Sequence, residues 1–157
     1  MGRSSRRVVG VMLVACVALG LTASVAGATP TTKLPVTVTD DLPFPPVHFS
    51  LTPPPSEADS YKIQLINNSI GPHVWIAFGG LPAGFTVNQL IEALDGQAPP
   101  PEDAFEVGAV FAAPGQKHQK KFDFTAPGRY AFFCPITTPA GTPHYRLGFA
   151  GVFDIAQ

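Results

Sequence analysis

Cysteine is almost missing from this chain. Of its 157 residues two are cysteine, Cys16 and Cys134, and the first lies inside an apolar N-terminal run. A disulfide-stapled domain is therefore excluded, and stability must come from packing. Methionine is equally scarce: Met1 and Met12 both fall in that leading segment, so no thioether serves any site further along. Charged residues make up only 13% of the chain, for a net charge of -1. That removes the basic footprint a nucleic-acid binder needs, and no such partner is expected.

The N-terminus reads MGRSSRR and then VVGVMLVACVALGLTASVAGA, a basic segment followed by an apolar run that ends in Ala26-Gly27-Ala28. This predicts an export signal over residues 1–28, cleaved near Ala28, and a protein that works outside the cytoplasm, secreted or held in the periplasm or cell envelope. Gly10, Gly20, Thr22 and Ser24 interrupt the run, which argues against a retained membrane anchor. Arg6-Arg7 after Ser5 permits twin-arginine export. Leu13-Val14-Ala15-Cys16 supports a second reading, a lipobox, in which a lipidated Cys16 would become the new N-terminus and give the protein its one attachment to a membrane. The apolar run continues well past Cys16, which weighs against it. Removal of residues 1–28 takes away Arg3, Arg6 and Arg7 and leaves about 130 residues with acids in excess, enough for one domain with a real core. A monomer is expected.

Residues 29–46 are rich in Pro and Thr, with short alternation at Val36 and Val38. This composition predicts a tether that becomes ordered near Leu34 and passes into an edge strand, with the domain proper over 47–157. Strands are predicted at Val47–Leu51 and Tyr61–Ile66, separated by a loop that Pro53, Pro54 and Pro55 enforce. Tyr61, Ile63 and Leu65 share one face and Lys62 and Gln64 the other, the two-residue period of a half-buried strand. Asn67-Asn68-Ser69 and Gly71-Pro72-His73 form turns before a buried strand from Val74 to Phe78. Thr86 and Gln89 have capping-box spacing, and Val87, Leu90, Ile91 and Leu94 recur with helical period, so one short amphipathic helix follows, closed by Asp95-Gly96. Pro99, Pro100 and Pro101 make an exposed loop. Further strands are predicted at Val107–Ala112, Gln119–Phe124, Arg129–Cys134 and Phe149–Ile155. Short strands punctuated by Pro and Gly, with one inserted helix, describe an all-β antiparallel sandwich.

The chemistry gathers around Cys134. In GRYAFFC, Tyr130, Phe132 and Cys134 lie on one face and Ala131 and Phe133 on the other, so the sulfur stands at the end of a strand anchored by aromatic packing. A loop containing Pro135, Pro139 and Pro143 separates it from His144 and restricts motion between the two. His73 lies far upstream. One thiolate and two imidazoles form the ligand set of a type 1 copper site. His118 sits in the charged hairpin QKHQKK and is expected to be solvated, and His48 has no partner motif.

These features resemble the cupredoxins, the small blue copper proteins related to plastocyanin and azurin, over most of the chain from Asn67 to Ile155. GPHVWIAFGGLPAGF, a helix, then APGRYAFFCPI and TPHYRLGF are closest to poorly characterised bacterial cupredoxin-like domains. The resemblance implies a Greek-key sandwich, one type 1 copper ion held by His73, Cys134 and His144, and one-electron exchange with a redox partner protein. One departure matters. Where the family usually places an axial methionine after a glycine, Gly148 is followed by Phe149, and phenylalanine cannot coordinate. Either the copper is three-coordinate with the ring over its axial face, or the fold has lost its metal. Absence of an axial donor favours Cu(I) and a raised potential. Asn67 or Asn68 is a candidate to bridge the two ligand loops through backbone or thiolate hydrogen bonds. An ordinary asparagine turn is the competing explanation.

Each site residue also has a plain structural reading: Cys134 as a small buried hydrophobe, and His73 and His144 as unrelated surface histidines. Three functions follow from the alternatives: an electron carrier, a copper storage or delivery protein, and a metal-free binding module. An enzyme is not expected. A cysteine nucleophile needs a base and an oxyanion donor, and no further polar group beside Cys134 is evident. Four histidines are too few for a multicopper oxidase, and zinc on this set needs a fourth ligand or water.

Overall fold

A computed structural model describes residues 31–40, 47–51 and 54–156. The leader, its cleavage point near Ala28 and Cys16 lie outside the described residues. The elements in chain order are β1 (Thr32–Asp40), β2 (Val47–Leu51), β3 (Asp59–Asn67), β4 (His73–Leu81), α1 (Val87–Leu94), β5 (Phe105–Ala112), β6 (Lys117–Phe124), β7 (Gly128–Phe133), a 3-10 turn (His144–Leu147) and β8 (Ala150–Ile155). The strands form two four-stranded sheets, ordered β2-β1-β3-β6 and β5-β4-β7-β8. This is the expected all-β sandwich with one short helix.

Alternation builds the core. Tyr61, Ile63 and Leu65 of β3 point inward and are buried, as are Leu34, Val36 and Val38 of β1 and Phe122 and Phe124 of β6. Trp75 of β4 meets them from the second sheet, edge-on to Phe122 with ring centroids 5.1 Å apart and stacked on Phe132 at 5.6 Å. The second sheet is apolar on its other face too. Ala131 and Phe133 of β7 pack there with Phe85, Leu90 and Tyr145 in a separate cluster. α1 lies over that face, its start fixed by the capping box between Thr86 and Gln89. The face assignment of GRYAFFC therefore holds: Tyr130 and Cys134 belong to the inter-sheet core, with Phe132 packed against it.

Two expectations need correction. β1 is an interior strand, not an edge: β2 pairs with it on one side, from Val36 to Asp40, and β3 on the other, from Thr32 to Val38. Residues 32–40 of the Pro- and Thr-rich segment thus belong to the sandwich. Pro35 is tolerated because it lies just beyond the last pair with β2, where a missing N–H costs least. The β1–β3 pairing is also parallel, whereas the other strand pairings are antiparallel. Local alternation fixes which face is buried but carries no information on strand order or direction.

The assignment of faces is open to direct measurement. Ile63→Ala empties a site that is fully buried and is expected to cost about 2–5 kcal/mol in urea unfolding. Lys62→Ala, one residue away on the solvent face, should change stability by less than about 0.5 kcal/mol. Equal effects would contradict the register.

Candidate metal centre

Antiparallel pairing of β4 with β7 sets Ile76 opposite Phe133. The beginning of β4 therefore lies beside the end of β7, and His73, the first residue of β4, comes to Cys134, the residue after β7. His73 is thus part of a strand rather than of the turn before it. The third residue arrives by a short return loop. The N–H of His144 donates to the Ile136 carbonyl at 2.8 Å, and the N–H of Tyr145 to the Cys134 carbonyl at 3.0 Å. Across the loop tip Thr138 donates to Thr142 and Gly141 to Thr138, both at 2.9 Å. Hydrogen bonds as well as prolines hold this segment.

The structure brings the three residues together. Cys134 Sγ lies 3.5 Å from His144 Nδ1 and 3.9 Å from His73 Nδ1, and the two nitrogens are 3.2 Å apart. The point equidistant from the three atoms lies about 2.1 Å from each, inside the ~2.0–2.3 Å span of bonds from a transition metal to imidazole nitrogen and thiolate sulfur. These donors would surround an ion without moving. They are also sealed from solvent: His73 is 1%, His144 6% and Cys134 0% exposed. Surface histidines are excluded. A carboxylate does not join this group of metal-ligand type side chains among the described residues.

Burial pushes the Cys134 thiol up, while hydrogen bonds from the backbone N–H groups of Val74 and Ile136 to the sulfur act in the opposite direction. The Val74 contact is 3.5 Å long. Without a cation the sulfur therefore keeps its proton, and those two N–H groups are in place to stabilise a thiolate once one arrives.

Phe149 closes the site. Gly148 adopts the left-handed conformation at φ 99° to end the 3-10 turn, and the chain re-enters the sheet with Phe149 fully buried. Its ring stacks on that of His73, with centroids 4.6 Å apart and planes 10° apart, and leans on that of His144 at 5.3 Å. The N–H of Cys134 donates to the Phe149 carbonyl at 2.9 Å, and the N–H of Phe149 to the His144 carbonyl at 3.1 Å.

The two asparagines separate clearly. Asn67 is fully buried. Its amide group donates to the carbonyls of Gly71 at 2.8 Å and Ala112 at 2.9 Å, and its Oδ1 accepts from the N–H and the hydroxyl of Ser69. It ties the loop before His73 to the end of β5. The expected bridge to the loop that carries Cys134 and His144 is not made by these bonds, because the side chain is directed at the Gly71 and Ala112 carbonyls on its own side. Asn68 is exposed, and its backbone N–H donates to Val38. The sequence held the signal: Asn67 continues the inward series of Tyr61, Ile63 and Leu65.

A third support has no signature in the local sequence. The carboxylate of Asp95, the residue that ends α1, accepts from the Tyr145 hydroxyl at 2.8 Å and from Arg146 Nε at 3.0 Å, with Arg146 Nη2 at 2.7 Å from its second oxygen. Hydrogen bonds from Arg146 and then Tyr145 hold its carboxyl below the usual carboxylate range. The residues that follow His144 are thereby fastened to the helix. His118 is exposed on β6 and takes no part.

No protein-family model matches the chain, and no curated protein matches it. Solved structures do. Auracyanin from the photosynthetic bacterium Roseiflexus castenholzii superposes with a TM-score of 0.50 at 21% identity, over 81% of this chain and 98% of its own. Auracyanin A, a "blue" copper protein of Chloroflexus aurantiacus, gives 0.54 at 19% over 80% and 99%. Reduced rusticyanin gives 0.50 at 16% over 82% and 81%. A multicopper oxidase of Aquifex aeolicus is matched over only 30% of its length. At such identities what is shared is architecture, and the architecture of this chain is that of a cupredoxin.

Proposed function

We propose that this protein is an exported carrier of single electrons, built around one copper ion held by His73, Cys134 and His144. The observation that supports this most strongly is the meeting of one sulfur and two imidazole nitrogens at bond-making spacing, away from water, on three segments that the rest of the fold holds in place. Copper in such a set alternates between two oxidation states, and soft thiolate with imidazole suits both. The protein's part is to stop the donors from relaxing between those states. The Asn67 bonds, the hydrogen-bonded return loop and the Asp95 clamp serve that end. The apolar N-terminal run ending in Ala26-Gly27-Ala28 supports a site of action outside the cytoplasm.

Phe149 supports the three-coordinate reading. A buried apolar ring stands beside both imidazoles where a thioether would otherwise be offered, and its replacement of a donor favours Cu(I) and a raised potential. Storage and delivery fit less well. Metal hand-off requires a ligand that the acceptor can reach, and these three residues are almost wholly covered. Binding must also displace the thiol proton, whose affinity burial has raised, so copper affinity falls as pH falls.

Three outcomes are expected. Titration of the purified apoprotein with Cu(II) should give intense visible absorption that saturates at one equivalent and disappears in Cys134→Ser. Absence of colour, or its persistence in that variant, would leave a metal-free sandwich. Voltammetry of Phe149→Met beside wild type should show a lower potential, and an unchanged or higher value would dismiss the role given to the ring. Asn67→Ala removes the amide donor from the buried Ala112 carbonyl and leaves the Gly71 carbonyl with the Ser69 hydroxyl alone, and is expected to cost about 2 kcal/mol of apoprotein stability. It should also weaken copper binding, which Asn68→Ala should leave unchanged.

A further inference from the structure

All five lysines of the sequence lie on one sheet: Lys33 on β1, Lys62 on β3, and Lys117, Lys120 and Lys121 on β6. Their placement is ordered. Lys33 is directly opposite Lys62, and Lys62 directly opposite Lys121, so three lysines form a row across neighbouring strands whose backbones are about 4.8 Å apart. The inward neighbours of Lys33, Lys62 and Lys121, namely Leu34, Tyr61, Ile63 and Phe122, are buried, and these three lysines are exposed on the solvent face; Lys120, opposite Ile63, is exposed but belongs to the inward alternation of β6. Lys117, four residues from Lys121 on the same strand, extends that face along β6. Asp123 is the one acidic residue of β1, β3 and β6 on this side, 2.8 Å from Lys121.

Like charges placed directly opposite each other destabilise a sheet, so nothing in folding accounts for the row. The other side of the molecule has the opposite character. Glu92 on α1 and Glu106 on β5 are exposed there, while Arg129 and Arg146 are each 2.7 Å from an aspartate oxygen, of Asp154 and Asp95. The domain is electrically polarised across its thickness, although its net charge is small.

We propose that the outer face of the β1–β3–β6 layer is a docking surface for a membrane of anionic phospholipid. Protein interfaces are enriched in aromatic residues and arginine and depleted of lysine. This face carries lysines, and between them Ser60, Gln64 and Gln119, with no aromatic side chain. Its apolar members are Pro35 and the half-buried Ile66 opposite Lys117, and a surface with so little apolar area and so many flexible point charges suits a plane of lipid phosphates rather than a shaped protein partner. Among the described residues no helix is long and apolar enough to cross a membrane; attachment here is electrostatic. The proposal is independent of copper.

Sedimentation of the exported protein with vesicles tests it. At low ionic strength, binding to vesicles of equal parts phosphatidylcholine and phosphatidylglycerol should greatly exceed binding to phosphatidylcholine alone, and salt should abolish the difference. Each lysine is worth roughly fivefold in partitioning, so the triple variant Lys33→Gln, Lys62→Gln, Lys121→Gln should lose roughly a hundredfold. Lysine-to-arginine changes at the same three positions should retain binding. The glutamine variant should melt no lower than wild type, because exposed like charges have been removed. Equal binding to neutral vesicles, or an unaffected triple variant, would overturn the proposal. So would tighter binding to polyglutamate than to the mixed vesicles, which would point to an acidic protein instead.

Discussion

One strand pairing determines whether this molecule has a site at all. β4 and β7 run antiparallel with Ile76 opposite Phe133, and that register alone carries His73 to Cys134 across a sequence separation of 61 residues. A slip of one residue would turn the alternate side chains of β7 over and send the sulfur to the helix side. Register is protected by the packing on both faces of β7, since Tyr130 and Phe153 stack within the core while Phe133 stacks on Phe78 on the opposite side. Hydrophobic packing here does chemistry indirectly: it selects which face the thiol occupies.

The sequence speaks clearly about faces and sparingly about neighbours. The alternation in Tyr61–Leu65 and in GRYAFFC, and the capping pair Thr86 and Gln89, are visible because each depends on residues within one element. The three clustered residues His73, Cys134 and His144 are legible for a different reason. With a lone cysteine after the leader and four histidines in all, few combinations exist, and their order along the chain follows the cupredoxin pattern. Asp95 is different. Nothing within 50 residues says that its carboxylate will meet Tyr145 and Arg146, and locally it reads only as a helix end. The interior place of β1 is hidden in the same way, because strand order is a property of the assembled sheet and Pro- and Thr-rich text suggests a tether.

The two sheets are not equivalent, and the difference follows from what covers them. β5-β4-β7-β8 is apolar on both faces, its outer side packed with Phe85, Leu90 and Tyr145 beneath α1. A strand dry on both sides loses few backbone hydrogen bonds to water and opens rarely. That is the sheet from which Cys134 and His73 project. β1, β3 and β6 turn most of their apolar side chains inward, and their solvent face holds lysines, with Pro35 and Ile66 as its apolar members. Rigidity is thus placed beneath the cluster of His73, Cys134 and His144, and charge on the exposed face.

The helix then gains a purpose beyond covering the sheet. Through Leu90 it packs on the face that carries Phe133, and through Asp95 it holds the turn that carries His144. Two of the three donors therefore refer to one short element, while the third refers to Asn67 and the start of β4. A donor that moved alone would have to break contacts already shared with another. This coupling explains how the two imidazoles and the sulfur keep their spacing: they are fixed from behind, by bonds and packing outside the cluster. Phe149 then contributes by its volume. Stacked on His73 and bonded through its backbone to both Cys134 and His144, it covers one side of the two imidazoles with carbon.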